Sequence, residues 1–265
     1  MHKCYRKAVI ISAFSAFAVL MIMMLELNAF AGSAAYSWYC VHRSDHMQPM
    51  ISDELSFCEE LDGYYIDRKH GDGSAEKVVY LTFDAGYENG NIEKILDVMA
   101  DEEVNGAFFI LGNLLKKNPE LVKRMFDEGH LVCNHTYNHR KMVGVDKDTF
   151  VEELKRLENE CESVTGHSID KYYRPPEGRF DRASLQYARE LGYKTVFWSF
   201  AYEDWDNNRQ MPVEKAKKKI LDNIHNGEVM LLHPTSQTNA DVLRDIIREL
   251  RKDGYRFGTL DELCH

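Results

Sequence analysis

Three short stretches carry residue types that can do chemistry: Thr82-Phe83-Asp84, the pair His135 and His139, and His233. Each follows a short apolar run. KVVYLTF precedes Asp84, HLVCN precedes His135, and EVMLL precedes His233. Short apolar runs alternating with amphipathic segments read as parallel strands and crossover helices, whose loops open on one face of the fold. On that face of an α/β barrel, residues from different strands converge. A carboxylate, two histidines at metal-ligand spacing and a lone histidine on one face amount to the groups needed for metal-assisted hydrolysis.

Each residue also has a plainer reading. Asp84 is a general base, a ligand or the N-cap of a following helix. His135 and His139 are four apart, so on a helix or tight turn they share a side and suit zinc or a similar divalent ion. Histidines at that spacing are also common at surfaces and in cores. His233 is either a satisfied core residue or the proton donor opposite a base. Arg174, in YYRPPEG, makes a structural ion pair or fixes a catalytic carboxylate. Asp204-Trp205 follows KTVFWSF, as a loop carboxylate beside an aromatic or as part of the site.

The elements that must position these groups follow from periodicity. Strands are expected at 78–83, 106–111, 130–134, 171–174, 194–200, 228–232 and 255–258. Helices are expected at 91–103, 119–128, 147–165, 181–191, 212–226 and 239–253. Gly129, Gly166, Gly192, Gly227 and Gly254 stand where C-terminal glycines belong, and Pro119 and Pro212 stand near helix starts. Strict alternation favours a closed or nearly closed β/α barrel. With no GxGxxG after the first strand, a dinucleotide-binding sheet is disfavoured.

Lys3, Arg6 and Lys7, an apolar stretch and Ala29-Phe30-Ala31 read as a signal peptide over 1–31, or as a membrane anchor if uncleaved. The catalytic part is then secreted or held at the cell surface, and a membrane partner is reached only through that segment. The formal net charge is −10. Residues 1–31 are net basic, so the remainder is more acidic still, which argues against nucleic-acid partners. Residues 32–75 read as an extended lead-in that packs on the domain. Of the cysteines, Cys4 lies in the signal, Cys40 and Cys58 flank one stretch but read more readily as unpaired than as a disulfide, and Cys133 reads as a small core residue.

LTFDAGYENG, HTYNH, RPPEG, FWSFAYEDW and LLHPTS stand in the order of the five motifs of the polysaccharide deacetylases, the NodB-homology carbohydrate esterases. The chain resembles that family over residues 77–262. TFDAGYENG and the upstream YYIDRK are similar, more narrowly, to the delta-lactam-biosynthetic de-N-acetylases of spore cortex formation. The resemblance implies an α/β fold, a distorted or incomplete (β/α) barrel of about seven strands, in a domain over 76–265. It implies hydrolysis of an N-acetyl group on a peptidoglycan glycan strand, with a divalent ion, zinc foremost, as cofactor.

Carried over by position, Asp84 matches the catalytic base and His135 and His139 the metal ligands. Arg174 matches the residue that orients the base, and Asp204 the carboxylate that tunes the general acid, His233. Trp205 and Leu231 match the walls of the acetyl pocket. Pro175 and Glu177 fall on the substrate side, where the Glu177 N–H is expected to hold the oxyanion. Arg179 is a candidate for a substrate carboxylate, or a solvated loop charge.

Two positions depart from the pattern: Ala85 replaces the aspartate that serves as third metal ligand, and Glu177 replaces a tyrosine. The expected substrate is N-acetylmuramic acid, with muramic δ-lactam as the downstream product. The alternatives are N-acetylglucosamine in peptidoglycan or chitin, and an inactive glycan-binding module.

Overall fold

The computed structural model describes residues 34–264. The expected signal or anchor over 1–31 lies outside the described residues. The lead-in departs from the extended reading: it holds β1 (Tyr36–Ser37), the short helix α1 (Phe57–Glu60) and β2 (Gly63–Tyr64). Trp38, Leu55, Phe57, Tyr65 and Ile66 build an apolar cluster there with Phe180, Leu185 and Phe197. The indole of Trp38 stacks on Phe197 at 4.1 Å and donates from Nε1 to the carbonyl of Trp198 at 2.9 Å.

β3 (Lys77–Ala85) is the longest strand and is buried along nearly its whole length. Its side chains divide by alternation. Val79, Leu81, Phe83 and Ala85 join the cluster that contains the helix residues. Val78 and Tyr80 join a second cluster, with Phe109, Cys133, Tyr172 and Val196. A strand apolar on both faces is what a helix-covered parallel sheet requires. The chain continues through α2 (Ile92–Asp101), β4 (Ala107–Ile110), α3 (Gly112–Lys117), α4 (Pro119–Asp127) and β5 (Leu131–Asn134). Next come α5 (Lys147–Thr165), β6 (Asp170–Tyr173), β7 (Arg179–Phe180), α6 (Arg182–Glu190) and β8 (Lys194–Val196). It ends with α7 (Val213–Asn223), β9 (Glu228–Leu232), α8 (Gln237–Lys252), β10 (Tyr255–Phe257) and α9 (Leu260–Leu263).

Local signals set the helix ends. The Asp146 carboxylate accepts from the Thr149 N–H at 2.7 Å, and α5 stops at Gly166 with φ 79°, a left-handed turn that glycine adopts without Cβ strain. Asp181 and Ser184 form a capping box on α6.

The main sheet runs β10-β3-β4-β5-β6-β8-β2, with β9 beside β3. All seven expected strands are present, and β2 from the lead-in is an eighth. The expected strand over 194–200 keeps its regular ladder only to Val196. Beyond it, the Phe197 N–H turns to Tyr64 at 2.7 Å and the Ser199 N–H to Val229 at 2.9 Å. A bridge between Phe200 and Met230 then brings this segment against β9. The sheet therefore curls into a distorted barrel, with β2 paired to β8 at one end of the strand order. Cys40 and Cys58 do not pair. The Cys40 thiol instead donates to the Ser199 carbonyl at 3.0 Å. Cys133 is fully buried.

Candidate active site

β3 delivers Thr82 and Asp84 to one face of the strand, and Arg174, just after β6, meets both. The guanidinium is completely buried. It donates to Asp84 Oδ1 at 2.9 Å, to Thr82 Oγ1 at 2.9 Å, and to the carbonyls of Val196 at 2.9 Å and Phe197 at 3.1 Å. Its carbon lies 4.1 Å from the centre of the Phe109 ring, a favourable place for a cation. Burial pushes the Asp84 carboxyl upward, but His135, Arg174 and His233 together outweigh it and hold it below its ordinary value. The helix-cap reading of Asp84 does not hold, because α2 begins after Asn91 and the carboxylate is spent on Arg174.

His135 and His139 lie on a loop, not a helix. Thr136 and His139 take left-handed φ values of 68° and 56°, conformations that cost a β-branched residue energy. The turn is held by the Thr136 N–H on Asn134 Oδ1 at 2.9 Å and by Asn138, bonded through backbone and side chain to Glu153 at 3.0 and 2.7 Å. The result is two imidazoles 5.1 Å apart, edge to face. His135 Nδ1 donates to the Arg174 carbonyl at 2.8 Å, so Nε2 keeps its lone pair, 3.6 Å from Asp84 Oδ2. Burial lowers the His135 pKa to about 4 despite the nearby Asp84. The ring is therefore neutral near pH 7 and able to ligate.

An imidazole whose far nitrogen is held by a backbone carbonyl is how metal-binding histidines are oriented. Among the described residues, no group of three or more His, Cys, Asp or Glu side chains is arranged to hold a metal ion. The Ala85 methyl is fully buried in the apolar cluster with Ile110 and Leu114 and offers no donor. The donors present thus fit a two-histidine site, with other positions left to water or substrate.

Across the cleft, the His233 N–H and ring Nδ1 both bond Asp204, at 2.8 and 2.7 Å. Asp204 is buried and also accepts from Asn239 Nδ2 at 2.6 Å. Tyr202 donates its hydroxyl to Asn239 in turn. Burial disfavours a charged His233, yet the Asp204 carboxylate and its hydrogen bond raise the pKa above the ordinary histidine value.

These groups open on a cleft of about 810 Å³, whose lining includes Asp84, His135, His139, Glu177, Trp205, Leu231 and His233. Arg174 and Asp204 stand behind the lining and hold Asp84 and His233 in place. Glu177 takes φ 57° and its carboxylate pairs with Lys141 at 3.0 Å. Pro175 and Arg179 are not part of the lining. Pro175 is buried beside Arg174, while Arg179 is exposed on β7, opposite Ser37 of β1. Arg179 therefore stands outside the residues that line the cleft.

The sequence reading singles out Thr82 without giving it a role, and does not reach Asn239 or Tyr202. Thr82 was within reach, since residues two apart in a strand share a face. Asn239 sits one turn into α8, and nothing local marks its contact with Asp204.

The polysaccharide deacetylase profile matches residues 71–196. The peptidoglycan-N-acetylmuramic acid deacetylase PdaA of Bacillus subtilis is 38% identical over 228 residues, covering 86% of this chain and 85% of that protein. Its solved structure, a family 4 carbohydrate esterase, superposes with a TM-score of 0.81 over 86% of this chain and 96% of that one. A family 4 carbohydrate esterase from Bacillus anthracis gives 0.71 at 35% identity, over 87% and 96% of the two chains. A peptidoglycan-N-acetylglucosamine deacetylase of Bacillus cereus is 33% identical over 70% of this chain and 67% of its own length. Likeness of this extent in sequence and in fold places the chain in the polysaccharide deacetylase family of amide-bond hydrolases.

Proposed function

We propose that the protein removes the acetyl group from N-acetylmuramic acid in peptidoglycan outside the cell membrane, and so prepares the sugar for muramic δ-lactam formation in spore cortex. The observation that carries the hydrolytic reading is that Asp84, held by buried Arg174, and His233, hydrogen-bonded to Asp204, line one cleft. The similarity to PdaA supports the choice of sugar.

A divalent ion held by His135 and His139 would supply Lewis acidity to the acetamide carbonyl and the attacking water. The chain's own groups do the rest. Asp84 takes a proton as water attacks the carbonyl carbon. The Glu177 N–H stabilises the developing oxyanion. As the C–N bond breaks, His233 Nε2 gives its proton to the departing amine, leaving acetate and a free amino sugar. That amine can then close on the lactyl carboxyl, with loss of water, to give the lactam. Closure needs the lactyl carboxyl free of its stem peptide. Asp204 favours the charged form of the donor, and Arg174 favours the ionised base and aims it.

One observation favours a second reading, deacetylation of N-acetylglucosamine. No lysine or arginine lines the cleft, and the Lys141 ammonium at Glu177 is already paired. A muramyl carboxylate therefore has no free cation among the lining residues. Mass spectrometry of peptide-free peptidoglycan strands after incubation separates the two readings, because the acetyl group is lost from different sugars.

A further inference from the structure

Besides Asp84, Glu177 is the only carboxylate among the described residues that line the reacting cleft. Lys141 pairs with it at 3.0 Å from the loop that carries His139. The backbone around Lys141 is fixed. The Arg140 N–H donates to Thr136 Oγ1 at 3.2 Å, the Met142 side chain is buried with Phe150, Leu154 and Tyr173, and the Gly144 N–H donates to Asp181 Oδ2 at 2.8 Å. The Lys141 side chain is free by contrast, 55% exposed against 46% for Glu177. Asp181 is committed to the backbone N–H groups of Gly144 and Ser184, so Glu177 is the one salt-bridge partner of Lys141 among the described residues. An ion pair this exposed is weakly held, and a competing carboxylate can take the ammonium at little cost.

We propose that Lys141 selects sugars that carry a free lactyl carboxylate, by exchanging its pairing from Glu177 to the substrate. The assignment rests on the muramyl reading above and names the residue that makes the choice. In muramic acid the acetamide and the lactyl ether sit on adjacent ring carbons, which is why the freed amine and the lactyl carboxyl can close a lactam. A carbonyl oxygen held at the Glu177 N–H therefore brings the lactyl group toward the Glu177 side chain. Alone, that side chain repels an incoming carboxylate. With Lys141 beside it the repulsion is offset, and an ammonium is supplied at the rim of a cleft whose lining offers no lysine or arginine. The flexible lysine stem lets the ammonium move between the two carboxylates while the loop stays in place. An amide-linked stem peptide removes the charge from the lactyl group, and with it the attraction. Glucosamine has a hydroxyl in place of the lactyl ether and gains nothing from the exchange. One exposed pair thus distinguishes peptide-free muramic acid from both.

The test is kcat/KM for acetate release from peptide-free strands whose lactyl carboxyls are free, and from the same strands with those carboxyls converted to neutral methyl amides. The wild-type protein is expected to favour the free carboxyl by about fivefold or more, mostly through KM. Lys141→Met keeps the apolar stem and removes the charge, and is expected to abolish that preference. Lys141→Arg is the second variant and is expected to retain it. A preference of equal size in the wild type and Lys141→Met, or none in the wild type, overturns the assignment. A loss of the same size on both kinds of strand shows that Lys141 serves only the shape of the loop, and overturns it as well. Mass spectrometry of the same products reports separately on the reading beneath it. Acetyl loss confined to glucosamine residues fails the muramyl reading, whereas loss from muramic acid with an unaltered preference in Lys141→Met fails Lys141 alone. If neither strand releases acetate, the deacetylase reading fails, and calorimetric titration with the same uncleaved strands decides Lys141. Tighter binding of the free-carboxyl strand that is lost in Lys141→Met supports it, and equal binding overturns it.

Discussion

Arg174 is the largest completely buried side chain, and its ion-pair partner is Asp84 at 2.9 Å. The pair is a buried structural ion pair, and under the proposed mechanism it also holds the base. Arg174→Ala is expected to cost about 3–5 kcal/mol of stability, because it leaves Asp84 charged and unpaired in the interior. It should also lower turnover, and Arg174→Lys should restore only part, since one ammonium cannot serve Asp84, Thr82 and two carbonyls together. Denaturant unfolding and acetate-release kinetics on the same samples check both. Asp84→Asn and His233→Ala are each expected to reduce kcat by about two to four orders of magnitude. A variant with near-normal turnover removes that residue from the mechanism. His233 must be charged to donate, and its raised pKa means that activity falls as pH rises through that value. Asp204→Asn removes the main cause of the elevation, so the alkaline limb of the pH–rate profile should move to lower pH. A limb that stays in place would assign it to another group. Asp84, His135 and His233 were legible in the sequence because each is a chemistry-bearing residue directly after an apolar run. Asn239 and Tyr202 were not, because their contacts with Asp204 and with each other exist only after α8 packs beside the loop that follows β8.

At the scale of elements, the long periodic segments were read from sequence almost to the residue. Lys147–Thr165 matches its expected helix because an aspartate cap, an apolar stripe and a terminal glycine agree. The seven expected strands are likewise all found. What escaped was short or borrowed. β2 is two residues long and has no periodicity to detect. Gly112–Lys117 lies between a strand and Pro119, in a stretch too short to show a helical repeat. β8 lost its second half because Phe197 to Phe200 change partners from β2 to β9, a choice made by the closing of the sheet. The lead-in is accordingly part of the barrel. Trp38→Ala, which removes the stack on Phe197 and the bond to Trp198, is expected to cost about 3–5 kcal/mol. Because Trp198 lines the cleft, activity should fall as well. Unchanged thermal unfolding would show that the lead-in is a passive tail.

At the scale of the whole molecule, the curled sheet gathers residues following β3, β5, β6, β8 and β9 into a single cleft, which is why motifs far apart in sequence act together. Among the described residues no helix is long and apolar enough to cross a membrane, so any attachment would rest on the segment over 1–31. The two-histidine donor set is expected to bind a divalent ion weakly. Calorimetry with zinc should show binding that is lost in His135→Ala and in His139→Ala, whereas retained binding would place the ion elsewhere. The central claim is the identity of the sugar and the bond. Peptide-free peptidoglycan strands, incubated with the protein and read by mass spectrometry, should yield muramic acid residues lighter by one acetyl group, and then by one further water on lactam closure. Acetyl loss confined to glucosamine residues, or no loss from any sugar, would contradict the account.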